Sequence, residues 1–126
     1  MKAQSYRDLE IFGLSKELAV KVHRMTLEAL PKFELYEEGS QIRRSSKSIV
    51  SNIVEGFGRR RHKNEFIQFL TYAVASCDET KVHLEMLQET GSLKKDAFEN
   101  LLCGYEELFA KLFNFREAVI KGHRAS

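Results

Sequence analysis

Gln41-Ile42-Arg43-Arg44-Ser45-Ser46-Lys47-Ser48-Ile49-Val50-Ser51-Asn52-Ile53-Val54-Glu55-Gly56-Phe57-Gly58 is the stretch that decides the fold. Ile42, Ile49, Ile53 and Phe57 recur at helical spacing, and Val50 and Val54 widen their stripe, which predicts a helix over about 40–57. At about 100° per residue, Gln41, Ser45, Ser48, Ser51, Asn52 and Glu55 fall on roughly the opposite side. A solvated face would carry Lys and Glu, whereas this one is small and polar. The pattern predicts that Ser48, Ser51, Asn52 and Glu55 are buried or interfacial, with the carboxylate hydrogen-bonded or paired with Arg43 or Arg44. Gly56 and Gly58 bracket Phe57 and mark a helix stop before Arg59-Arg60-Arg61.

The flanking chain repeats the helical period. Ile11, Leu14, Leu18, Val22, Met25 and Ala29 predict a helix over about 8–30, with Asp8 or Ser5 as its cap and Pro31 ending it. Residues 32–39 are then a connection. A third helix is predicted from Asn64, read as its N-cap, to Gly91, with Phe66, Leu70, Ala73, Cys77, Leu84 and Leu87 on one face. A fourth opens at Ser92 and runs toward Gly122, carrying Leu101, Tyr105, Leu108, Leu112 and Val119 among many apolar residues. No segment alternates with the period of two that a strand requires. Four long helices with short connections predict an all-α fold, an antiparallel up-down-up-down four-helix bundle in a single domain over residues 1–126.

Composition agrees. A chain of 126 residues with 43% hydrophobic and 30% charged residues buries a core without a disulfide or metal, and it is too apolar for disorder. No apolar run reaches the ~18 residues of a membrane span, and Met1 to Tyr6 lacks an apolar signal core, so a cytoplasmic protein is expected. Cys77 and Cys103 both sit in apolar helical patterns and are expected to be buried, reduced thiols. The net charge of +2 conceals an asymmetry. Residues 41–63 hold Arg43, Arg44, Lys47, Arg59, Arg60, Arg61 and Lys63 against Glu55 alone, a local charge of +6 against −4 elsewhere.

The patterns that carry chemistry are mostly missing. No Glu-x-x-His pair exists, and Glu79 and His83 are four apart without matching carboxylates, so no metal is expected. Gly56-Phe57-Gly58 follows a helix, and Arg61 stands where a dinucleotide loop needs its third glycine, so no cofactor is expected. Glu55 and Glu79 are the one pair of carboxylates that could serve in principle as acid and base, and a non-enzymatic role is expected instead. The basic cluster has two readings: a surface for nucleic-acid phosphates, or arginines paired with acids such as Glu37 and Glu38 in the same or an adjoining subunit.

The runs Tyr6-Arg7-Asp8-Leu9-Glu10-Ile11-Phe12, Gln41-Ile42-Arg43-Arg44, Ser48 to Arg59 and Glu65 to Leu70 together make the chain resemble the four-helix-bundle family of 23S rRNA intervening-sequence proteins. The most specific string is Ser-x-x-Ser-Asn-Ile-x-Glu-Gly-x-Gly-Arg, at Ser48 to Arg59. The resemblance implies a small bundle that assembles into a ring-like homo-oligomer, a pentamer. It maps the family motif onto Arg43, Arg44, Ser48, Ser51, Asn52, Ile53, Glu55, Gly56 and Arg59, with Glu79 as a recurrent third-helix acid. Val50 and Phe12 depart from it, standing where many members have Pro and Trp.

The combined expectation is a homo-oligomer that binds structured RNA, or an RNA-containing complex, through Arg43, Arg44, Lys47, Arg59, Arg60, Arg61 and Lys63. Its rival is a protein-interaction scaffold in which the same residues serve assembly or a protein partner.

Overall fold

The computed structural model describes residues 3–122. Met1 and Lys2 of the N-terminal stretch read above lie outside the described residues, as do residues 123–126. A short 3-10 turn, Tyr6–Asp8, precedes α1 (Glu10–Glu28); a second, Lys32–Tyr36, precedes α2 (Glu38–Gly58); α3 (Lys63–Glu89) and α4 (Lys95–Ile120) follow. Among the described residues there is no strand. Each helix packs on its neighbours in sequence, and α1 closes the ring against α4 without diagonal pairs, which is the up-down-up-down arrangement. The α2–α3 seam is the most extensive contact and the α1–α4 seam the least.

The termini follow local chemistry and correct three expectations. Ser5 and Asp8 do form a reciprocal cap, but it closes the first 3-10 turn: Ser5 Oγ accepts from Arg7 N at 3.2 Å and Asp8 Oδ2 from Ser5 N at 3.1 Å. α1 starts afterwards without a side-chain cap. Asn64 does not cap α3, which begins one residue earlier with His62 at the cap position. Ser92 does not open α4 either. Its buried hydroxyl donates to Glu34 Oε2 at 2.6 Å, tying the α1–α2 connection to the α3–α4 turn. That turn needs Gly91 because φ there is +84°, which lets Ser92 N and Gly91 N bond back to Leu87 O and Gln88 O at 2.9 and 3.1 Å.

The core is continuous along the bundle. Val22, Ile42, Ile49, Ile53, Phe66, Leu70, Leu84, Leu108 and Leu112 are all fully enclosed. Phe57, Phe66 and Phe115 form successive edge-to-face contacts, at 6.3 and 6.0 Å between ring centres, near the end where α2 passes into α3. Phe12 is buried against Tyr6 in a similar edge contact at 4.9 Å. Cys77 is wholly buried, as expected. Cys103 is exposed, a correction: it lies about 200° round α4 from Leu101, off the buried face set by Leu101, Tyr105, Leu108 and Leu112.

Burial pushes the Cys77 thiol up to about 12. A raised thiol pKa means the native state keeps a proton that the unfolded chain releases, so this group's contribution to stability falls as pH rises above its ordinary 9.0. Thiol labelling at pH 8 should therefore modify Cys103 rapidly and Cys77 only after denaturation. Labelling of Cys77 at the rate of Cys103 in the native protein would contradict this packing.

Candidate nucleic-acid surface

The helical motif divides into two jobs. Ser48 and Asn52 are half-buried and turned to α3, where Ser48 Oγ meets Ser76 Oγ at 3.1 Å and Asn52 Nδ2 donates back to Ser48 O and Oγ at 2.9 and 3.1 Å. Ser45, expected on the outer side, is buried and accepts from Thr80 Oγ1 at 2.8 Å. One helical step on from Asn52, Gly56 touches α3 directly. A Cβ there would lie 3.0 Å from Phe69 Cβ and 3.4 Å from Phe66 Cδ1. Small hydroxyls and a glycine thus let the two backbones approach while satisfying each other's polar groups.

Ser51 and Glu55 point the other way and are exposed on this single chain. Glu55 pairs with neither Arg43 nor Arg44; its partner is Arg59, one turn along, with Nε to Oε2 at 3.1 Å. The α2–α3 register pairs Ser45 with Thr80, Ser48 with Ser76 and Gly56 with Phe69. Glu79 is then level with Ser46, roughly nine residues or ~14 Å along the axis from Glu55. The two carboxylates are not brought together. Glu79 instead accepts from His83 Nε2 at 3.3 Å, while His83 Nδ1 meets Glu38 Oε2 at 2.7 Å. Among the described residues no group of three or more His, Cys, Asp or Glu side chains has the geometry to hold a metal ion.

The seven basic residues also separate. Arg43 turns inward: its guanidinium donates to Thr26 Oγ1 at 2.9 Å and Leu35 O at 2.7 Å, stitching α1 and the connection to α2. Lys47 faces α1, its Nζ 3.0 Å from His23 Nδ1, and Arg44 is exposed without a partner among the described residues. Arg59 spans the α2–α3 turn to Glu55 and to Glu65 Oε1 at 2.8 Å, over the ring of Phe69. The hydrogen bond to Glu65, then that to Glu55, raises its already high pKa. Arg60 lies over Phe57 at 4.1 Å and donates to that residue's carbonyl at 3.0 Å.

Arg61 and Lys63 are exposed and make no ion pair among the described residues. The sequence reading missed Arg7 here. The turn that carries it packs on α2, and its guanidinium lies 5.2 Å from the ring centre of Tyr6. Its signal was available, because an antiparallel bundle puts the start of α1 beside the end of α2. Most carboxylates at this end are engaged, Asp8 in the cap, Glu55 and Glu65 with Arg59, and Glu10 with Lys111 at 2.9 Å, while Glu117 near the end of α4 has no ion pair among the described residues. Arg7, Arg60, Arg61 and Lys63 make no ion pair among the described residues and leave this end with an excess of positive charge.

These features define a small antiparallel helical bundle with one cationic end. The chain belongs to the 23S rRNA-intervening sequence protein family, whose model matches residues 7–114. Among solved structures it is similar to a protein of unknown function from the S23 ribosomal protein family of Bacteroides thetaiotaomicron VPI-5482, at 24% identity and a TM-score of 0.78. That likeness covers 85% of this chain and 95% of the other, and it is one of fold. No curated protein matches this chain.

The seam makes Gly56 sensitive to volume and Gly58, with nothing within 4 Å of an added Cβ, tolerant of it. Gly56→Val should lower unfolding free energy by about 1–3 kcal/mol, while Gly58→Val should change it by less than ~1 kcal/mol. Equal effects in urea denaturation would contradict the close approach of α2 and α3.

Proposed function

We propose that this protein binds structured RNA through the cationic end of the bundle, with Arg60, Arg61 and Lys63 contacting phosphates and Arg7 flanking them. The reading rests on one observation above all: Arg7, Arg60, Arg61 and Lys63 make no ion pair among the described residues, while most acids at that end are held by Arg59, Lys111 and a cap. Phosphate oxygens are the anions such a surface suits. The family description, which refers to 23S rRNA, supports RNA over other polyanions. No element resembles a base-reading module, so binding would follow backbone and shape.

The structural reading of the arginines fits two of them. Arg43 and Arg59 are consumed within the chain, which favours assembly of the bundle as their work. Self-association would place several cationic ends on one body and multiply weak phosphate contacts, provided one RNA spans them.

Fluorescence anisotropy with a structured RNA across a salt series tests the proposal. Affinity should fall steeply with salt, and Arg61→Ala with Lys63→Ala should flatten the log–log slope by about 1.5–2. Undiminished binding by that double variant, or no binding at low salt, would overturn it.

A further inference from the structure

A cleft of about 830 Å³ opens where the first 3-10 turn and the start of α1 lie against the end of α4. Leu9 and Ile11 from the α1 side, and Phe115 and Ala118 from α4, give it apolar walls. Its volume has room for a nucleoside. Because α1 begins and α4 ends where α2 passes into α3, the cleft shares the end of the bundle that carries Arg60, Arg61 and Lys63. Two further cations stand at its margins. Arg7 directly precedes Asp8, which lines the cleft, and Lys121 lies one turn beyond Ala118; both are exposed and make no ion pair among the described residues.

The polar groups of the cleft are only partly used within the chain. Asp8 accepts through Oδ2 alone, from Gln4 N and Ser5 N at 3.0 and 3.1 Å, and Glu10 through Oε2 alone, from Lys111 Nζ at 2.9 Å. Each carboxylate keeps its other oxygen as an acceptor. α1 starts without a side-chain cap, so the N–H groups of Glu10 and Ile11 in its first turn remain as donors. Two carboxylates repel a phosphate group. Beside apolar walls they suit a flat, uncharged ring that carries its own N–H donors. Among the RNA bases, guanine alone places two neighbouring donor groups, N1–H and the N2 amine, next to a carbonyl acceptor, O6. An unpaired base can leave its stack to enter such a site.

We infer that the cleft receives an unpaired guanine, its ring against Ile11, Phe115 and Ala118, its N1–H and N2 amine donating to Asp8 and Glu10, and its O6 accepting from the first-turn amides of α1. Arg7 and Lys121 hold the adjoining phosphates. The inference rests on the RNA reading and deepens it: the basic residues bind the backbone and set position, and the cleft adds a choice of one base.

Anisotropy titrations test it with one hairpin RNA that carries a single unpaired loop nucleotide, made in four versions with guanosine, inosine, adenosine or uridine there. The guanosine hairpin should bind about tenfold tighter than the adenosine and uridine hairpins, with inosine, which lacks the N2 amine, between them. Ala118→Phe fills the cleft, and Glu10→Ala removes an acceptor at an exposed position. Each should remove most of the guanosine preference with unchanged helical circular dichroism. Arg61→Ala with Lys63→Ala should instead weaken all versions alike and keep the preference. Equal affinity for all versions, or an unchanged preference in either cleft variant, would overturn the inference and leave the RNA reading standing. Failure of every hairpin to bind at low salt would overturn both.

Discussion

The close approach of α2 and α3 is the constraint on which the rest of this structure depends. Four positions on α2 make it possible: Ser45, Ser48 and Asn52 present small hydrogen-bonding groups, and Gly56 presents none. Their counterparts Thr80, Ser76 and Phe69 set one register, since a shift by a turn would strand hydroxyls and drive a side chain into α3. Buried apolar area supplies most of the cohesion here as in any bundle, but it is indifferent to small slips. The polar seam adds the discrimination. It also accounts for why small residues outnumber long ones along this part of α2.

That register fixes the cationic end. With α2 and α3 locked, the turn from Arg59 to His62 has little freedom, and Arg59 closes it by bridging Glu55 and Glu65 across the two helices. The bridge is exposed and adds little stability by itself. Its larger consequence is one of pairing, because one arginine occupies two carboxylates and leaves Arg60, Arg61 and Lys63 without an ion pair. At the far end, the buried Glu34 holds Ser92 and Arg43 holds Thr26 and Leu35, so the opposite loops are tied by hydrogen bonds within the chain. The bundle is thus sealed at one end and charged at the other.

Much of the fold was legible because helical periodicity reports directly on burial. Ile42, Ile49, Ile53 and Phe57 named the face of α2, and the short connections set the topology. Direction within the polar face was harder to read. Ser48 and Ser51 are only about 60° apart on the helix, yet one meets α3 and the other meets solvent, a distinction that depends on where the neighbouring helix lies. Arg43 and Arg44 are indistinguishable by composition, but Arg43 shares a flank with Val50 and Val54, and that flank faces inward. Capping also misled locally, since Asn64 and Ser92 have the right chemistry one to three residues from where the helices begin. The basic cluster was contiguous in sequence and is divided in space, because an element of 21 residues separates its ends by roughly 30 Å.

Native-state hydrogen exchange tests the central claim, that the α2–α3 seam is the most cohesive part of the molecule. The backbone amides over 49–57 and 66–77 should exchange only through global unfolding, while those of α1 and α4 along their thinner mutual contact open at lower free energy. Exchange of the α2 amides through a local opening easier than that of α4 would contradict the account, because the register and the cationic end would then rest on something else.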